Sequence, residues 1–400
     1  MKIVVGVALV ILIALLGSRR TFTKVRLPLA ARHIYLTGTE YILVGLCLGG
    51  LLLNLLDEGS LKGLDPLLFL SLGWIGLMFG VQLEIPRIAH FGRQHFGLAM
   101  LQALATLLFC SLPFVFLLGL IGGTSNELIV IGALTLGAIA VPTAQSSLVL
   151  IQKELGLSRN KFFEILNYVS GIDDIIGLIV FGFLFCYAHT SSFIGLESLI
   201  SLQYLGLSIA VGGLMGLLLH VLTRVRCGQE ELLLFTMGIV VLAAGTAAYL
   251  GISPLFVTFI SGFVIANLRS QKTRILRVLG SFEKPFYIVI LLIGGAMLRP
   301  VGNWPVVLGL AAAYIVLRLA GKAAGGFVSS LVLRKPQQLP ALVGLALTSQ
   351  GGMAAAMVVS FHRTFLSDFS NSILMLVLVA LVVNEIISPF LARFVVRKAS

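Results

Sequence analysis

Asp173 and Asp174 stand side by side in GIDDIIGL (Gly171–Leu178), in mid-run of an apolar stretch with no neutralising residue beside them. Ionised carboxylates are costly in such a setting and mark ion or proton pathways. Consecutive residues of a helix point about 100° apart, so the two acids must serve different partners. One can face a water-filled cavity while the other faces a neighbouring helix that carries a cation. The candidate cation is Lys322, an ammonium within VLRLAGKAAGG, with Arg318 one turn before it on the same face. Two carboxylates that repel when both are ionised favour binding a small cation or a proton, and the two compete for the same oxygens. A buried Asp–Lys pair that only fixes helix packing would account for one aspartate and leave the second without a role.

Enzyme readings of paired aspartates fit less well. Intramembrane aspartyl proteolysis needs two carboxyls facing each other from different helices, which adjacent residues of one helix cannot provide. Prenyl transfer holds magnesium diphosphate with D-D-x-x-D clusters, whereas this motif reads DDIIG and no second cluster follows. The chain is therefore read as a non-enzyme that requires no cofactor.

Helix breakers accompany the charges. Pro142 lies within GAIAVPTAQSS and the pair Gly351–Gly352 within TSQGGMAAA. Proline removes a backbone donor and clashes with the preceding turn, and paired glycines weaken a helix entropically. At 1.5 Å per residue these breaks, the two aspartates and Lys322 all fall roughly 15 Å into the bilayer. Pro142, Thr143 and Ala144 with Gln350, Gly351 and Gly352 are the expected crossover of two discontinuous helices. Unwound carbonyls and half-helix ends there would supply oxygens and partial charges. Two ordinary kinks are the plainer alternative.

The elements that must position these groups are membrane helices. Of the 400 residues 58% are hydrophobic and only 11% charged, and the mean hydropathy is +1.06. Thirteen apolar segments are expected, at 2–17, 38–56, 64–83, 96–120, 127–151, 163–188, 198–223, 230–249, 252–268, 284–298, 304–332, 340–361 and 370–392. Alternate loops and the C-terminal end hold 22 of the 28 Lys and Arg residues and the opposite side holds four. That asymmetry places the basic side in the cytoplasm, with the N-terminus outside and the C-terminus inside. It also accounts for the net charge of +12 without nucleic acid as a partner. MKIVVGVALVILIALLG is followed at once by SRRTFTKVR, so it reads as a retained first helix rather than a cleaved signal. An odd helix count divides as six, one and six, which inverts the second six relative to the first.

At these residues the chain resembles the cation:proton antiporter superfamily, the bacterial sodium/proton and potassium/proton exchangers. NYVSGIDDIIGLIVFG is similar to its Asp-Asp helix and GAIAVPTAQSSLVLIQKELG to its first broken helix. ISPLFVTFISGFVIANL, VLRLAGKAAGG and LALTSQGGMAAAMVVS resemble its Ser-Pro helix, its lysine helix and its second broken helix. The resemblance implies that Asp174 binds a cation (Na⁺, K⁺ or Li⁺) and a proton in turn. Asp173 would pair with Lys322 and release it when a cation enters, and Thr143 would lend an oxygen. Asp-Asp with lysine resembles the electrogenic members, whereas electroneutral ones carry Asn-Asp. It further implies a homodimer in the bacterial inner membrane, working as an elevator. Residues 1–95 and 230–300 would form the scaffold, 96–190 and 304–400 the core, and 198–223 the linker. Gln350 and Met353 depart from the family, which often carries Arg or Glu there.

Secondary signals are Asn167, two turns before Asp174 and placed to line a funnel or be buried, and Arg318, which fits the family's Arg-x-x-x-Lys pattern. Glu385, in VNEIISP, is expected to pair with a cytoplasmic arginine or else to join the ion path. Cys47, Cys110, Cys186 and Cys227 form no C-x-x-C pair and read as apolar fillers. A sodium-coupled solute symporter and a non-transporting receptor that kept the fold are the competing functional readings.

Overall fold

The computed structural model describes residues 2–19, 34, 37–86, 92–121, 125–154, 161–188, 201–224, 228–268, 272–332 and 342–399. Among them there is helix and no strand. Eight helical spans, Asn126–Glu154 counted across its break as one, are long and apolar enough to cross a membrane, and two shorter apolar helices, Lys2–Ser18 and Pro254–Asn267, accompany them. The protein is a multi-pass helical membrane protein. Many of the basic residues that set the expected sidedness, together with Cys227, lie outside the described residues.

The chain divides into two compact units. The first comprises Met1–Phe22, Tyr41–Ile88 and Gly182–Met297. It holds α1 (Lys2–Arg19), α2 (Glu40–Leu48, from Tyr41 on), α3 (Glu58–Gly63) and α4 (Asp65–Gln82). Its second half holds α9 (Ser201–Thr223), α10 (Gln229–Tyr249), α11 (Pro254–Asn267) and α12 (Lys272–Ala296). Between lipid-soluble surfaces apolar burial offers little net drive, so helices associate where small residues let backbones approach. Here α4 lies on α11 at Gly76, Gly80 and Gly262, where an added methyl would strike the facing backbone. Ser253 caps α11 by accepting from the Phe256 N–H at 3.3 Å, and Pro254 follows at the first helical position, where its missing donor costs nothing. The Trp74 indole N–H donates to the Leu279 carbonyl at 3.0 Å, tying α4 to α12.

Two segments differ from expectation in this unit. The run at 38–56 is helical only as far as Leu48, because the Gly49–Gly50 pair and Asn54, at φ 47°, turn the chain back. The segment expected at 284–298 begins earlier, at Lys272, with Pro285 accommodated inside the helix.

The second unit comprises Thr23–Glu40, Ala89–Phe181 and Leu298–Ser400. It contains α5 (Gly92–Leu117), α6 (Asn126–Ala140), α7 (Gln145–Glu154) and α8 (Lys161–Tyr187) as far as Phe181. It continues with α13 (Trp304–Val332), a 3₁₀ segment at Val343–Leu347, α14 (Gly352–Phe365) and α15 (Asp368–Ala399). The expected helix at 127–151 is thus α6 and α7 with a break between them. The one at 340–361 is the 3₁₀ segment and α14, likewise interrupted.

Candidate functional site

Both interruptions fall where proline and glycine require them. Helix α6 stops at Ala140, just before Pro142, and regular helix resumes at Gln145. The second chain leaves its 3₁₀ turn after Leu347 and regains regular helix at Gly352. The two stretches touch, with the Ala144 N–H donating to the Ser349 carbonyl at 3.1 Å. Gly351 permits this approach, since a Cβ there would lie 2.8 Å from that of Ala144.

Breaking a helix orphans its last carbonyls, and each must find a donor. Every carbonyl from Ile139 to Thr143 receives one from a side chain. Gln350 Nε2 donates to Ile139 at 2.9 Å, Arg318 Nε to Ala140 at 2.9 Å and Lys322 Nζ to Val141 at 2.7 Å. Arg318 Nη2 donates to Pro142 at 3.0 Å and the Ser170 hydroxyl to Thr143 at 2.8 Å. Arg318 also reaches the Thr348 and Ser349 carbonyls, so one planar guanidinium clips both broken chains. Its rigid fork of donors suits that task where an ammonium would not. Cations therefore sit at the carboxyl ends of interrupted helices, the favourable sign for the helix dipole.

The acids take the other ends. Asp174 Oδ1 accepts the Thr143 N–H at 3.1 Å, at the entrance to α7. Asp173 points elsewhere, as helical geometry demands. Its Oδ2 lies 2.7 Å from Lys322 Nζ, both side chains being fully buried. Thr143 Oγ1 stands between them, 2.9 Å from Nζ and 3.2 Å from Oδ2, and lies 3.1 Å from the Leu347 carbonyl, with one proton to give to either acceptor. Asp173 Oδ1 is buried with no hydrogen-bond partner.

Glu385 departs from expectation. It is fully buried and pairs with no arginine among the described residues; its oxygens meet Ser349 Oγ at 2.9 Å and Ser147 Oγ at 3.3 Å. Arg393, about two turns further along the same helix, pairs instead with Glu154 at 2.9 Å. Asn167 is half-buried, and its Oδ1 finds no partner. Sequence reasoning passed over Ser147, Ser349, Tyr314 and Asn384. The last two hold Gln350, which donates to Tyr314 Oη at 3.0 Å and accepts from Asn384 Nδ2 at 2.9 Å. A polar residue directly beside Glu385 in an otherwise apolar run was the available signal for Asn384.

Buried acids outnumber buried Lys and Arg here, with Asp173, Asp174 and Glu385 against Arg318 and Lys322 among the described residues. One positive charge is missing, the charge of a proton or a monovalent cation. No group of three His, Cys, Asp or Glu side chains that could hold a metal occurs among the described residues.

A multi-pass helical bundle with two helices broken at mid-span around buried acids and bases has the form of a secondary transporter of ions. A family model described as "Sodium/hydrogen exchanger, transmembrane" matches residues 9–395. The chain belongs to the sodium/hydrogen exchanger family, whose members are membrane antiporters rather than enzymes. Its fold is similar to that of the sodium proton antiporter MjNhaP1 from Methanocaldococcus jannaschii at pH 8, with a TM-score of 0.66, 16% identity and 99% of each chain covered. A second structure of MjNhaP1, from electron microscopy, aligns with a TM-score of 0.66 and 15% identity over 100% of this chain and 98% of that one. No curated protein matches the chain in sequence.

Proposed function

We propose that the protein exchanges a monovalent cation, Na⁺ before K⁺ or Li⁺, for protons across a bacterial inner membrane, with Asp174 as the group that binds each in turn. The observation that carries this reading is the division of labour between the adjacent acids. Asp173 is committed to Lys322 at 2.7 Å, while Asp174 meets only uncharged donors, the Thr143 N–H and the Gln145 side chain, with no cation within ion-pair distance among the described residues. Asp174 is the acid whose charge is left for a transported ion. A cation arriving there loosens the Asp173–Lys322 pair, and Thr143, already placed between the two, takes part in the exchange of partners.

The Asp-Asp pair with lysine supports electrogenic exchange, more than one proton moving against each cation. The split into two units supports an elevator, in which a core carrying the crossover moves against a scaffold. In this reading the second unit is the core and the first, with the linker 198–223, the scaffold. A homodimer would anchor that scaffold in the bilayer.

The test is proton release from acid-loaded proteoliposomes on addition of Na⁺, K⁺ or Li⁺. Wild-type protein is expected to alkalinise the lumen and Asp174→Asn to be inactive while remaining folded. Exchange at the wild-type rate by Asp174→Asn would refute the assignment of the site.

A further inference from the structure

The cluster at Glu385 lies apart from Asp174 on the same crossover and plays no part in the exchange just described. Its three oxygen–oxygen contacts run in sequence. Glu385 Oε1 lies 2.9 Å from Ser349 Oγ, Ser349 Oγ lies 2.6 Å from Ser147 Oγ, and Ser147 Oγ lies 3.3 Å from Glu385 Oε2. The contacts at 2.6 and 2.9 Å each need one hydrogen between their oxygens, and the one at 3.3 Å, long for an O–H···O bond, becomes a hydrogen bond only with a third. A serine hydroxyl carries a single proton and an ionised carboxylate carries none. Two hydroxyls thus supply at most two protons for three contacts. The third contact closes only if the carboxyl itself carries a proton, each O–H then donating to the next around the ring. The Gln350 N–H, which also meets this carboxyl, cannot supply a hydrogen between two hydroxyl oxygens.

We infer that Glu385 is a second proton-binding group of the exchanger, protonated while Ser147 and Ser349 hold it closed and deprotonated when a cation occupies the Asp174 site. The surroundings are consistent with a neutral acid. Around α15 are packed α13, α14, the 3₁₀ segment, α7 and α6. On α13, Arg318 is spent on carbonyls and Lys322 on Asp173. On α7, Glu154 is paired with Arg393, and Lys153 sits with it in the last turn. His362 and Arg363 are in the last turn of α14 and Glu127 is in the first turn of α6. None of these lies within ion-pair distance of Glu385. With Glu385 neutral and Asp174 deprotonated to receive a cation, the remaining two acids balance the two bases, and the crossover is electrically closed.

The coupling follows from that balance. A cation entering at Asp174 adds one positive charge to a buried, neutral cluster; loss of the Glu385 proton to water restores neutrality, with the carboxylate left at the amino-terminal ends of α7 and α14. Ser147 follows the first break and Ser349 lies within the second, so opening the ring and shifting the crossover are one event. Cation and proton then compete through charge as well as for the same oxygens.

This inference rests on the exchanger reading, and infrared difference spectra of full-length protein in liposomes separate the two. Wild type is expected to show a protonated-carboxyl stretch that is lost in Glu385→Gln. Ser349→Ala, which keeps the acid and removes one ring member, is expected to shift that band. Adding the cation that drives exchange should remove the band from wild type, whereas Asp174→Asn should keep it unchanged. Identical carboxyl regions in wild type and Glu385→Gln would overturn the inference, as would a band indifferent to a cation that is being exchanged. If no cation drives exchange, the exchanger reading fails, and the difference between wild type and Glu385→Gln alone decides whether Glu385 holds a proton.

Discussion

The two units solve the same problem, burying polar atoms in an apolar medium, in opposite ways. In the first, the buried polar side chains among the described residues are mostly hydroxyls satisfied by their own helix. Ser71 donates to Leu67, Thr236 to Leu232, Thr223 to Leu219 and Thr258 to Pro254, each four residues back and at 2.7 to 2.8 Å. No Asp, Glu, Lys or Arg described in that unit is buried. In the second, five such residues are buried, and they answer groups far away in sequence. Lys322 meets Asp173 across 149 residues and Arg318 meets Pro142 across 176. Local satisfaction lets a helix move or pack as a rigid rod. Long-range satisfaction makes each partner's position depend on another's, which is what coupling between ions requires.

The comparison is broken most severely at Lys322. Removing the ammonium in Lys322→Ala leaves Asp173 as a buried unpaired charge, and losing one partner of a buried pair costs about 3 to 5 kcal/mol. A large drop in thermal midpoint in detergent is expected, with most of it recovered when Asp173→Asn is added to remove the stranded charge. If the double variant melted no higher than Lys322→Ala alone, the pair would not be what Lys322 stabilises.

Arg318→Lys is next in size. It keeps the charge but cannot bridge carbonyls of both broken chains, so about 2 to 3 kcal/mol should be lost from charged hydrogen bonds. Because those bonds hold the crossover rather than the ion, exchange should weaken while the order of preference among Na⁺, K⁺ and Li⁺ is kept. A changed cation order with unchanged stability would move Arg318 from the clip to the ion site.

Much of this was legible in the sequence, for a definite reason. A charge or a helix breaker in an apolar run is rare enough to be read singly. Asp173, Asp174, Lys322, Pro142 and Gly351 therefore announced themselves, and a shared depth linked them. What could not be read was partner choice. Glu385 was expected to pair with a nearby arginine, yet a 32-residue helix carries it to two serines of the crossover, and Arg393 turns to Glu154. Serines are too common in membrane helices for Ser147 and Ser349 to stand out. The early end of α2 was missed because a run of leucines outweighed Gly49, Gly50 and Asn54 in the hydropathy pattern.

The smallest effect belongs to the first unit and sharpens the comparison from its quiet side. The Thr236 hydroxyl is fully buried and donates 2.7 Å to the Leu232 carbonyl, which as part of α10 also has its own place in the helical ladder. Valine has the same branched shape. Thr236→Val removes a donor without orphaning an acceptor, so it should cost less than about 1 kcal/mol and leave exchange untouched. Thermal melting beside a proteoliposome assay would check both halves. A loss as large as that of Arg318→Lys would mean that hydroxyls of the first unit also work over long range, and the division between a locally satisfied unit and a coupled one would fall.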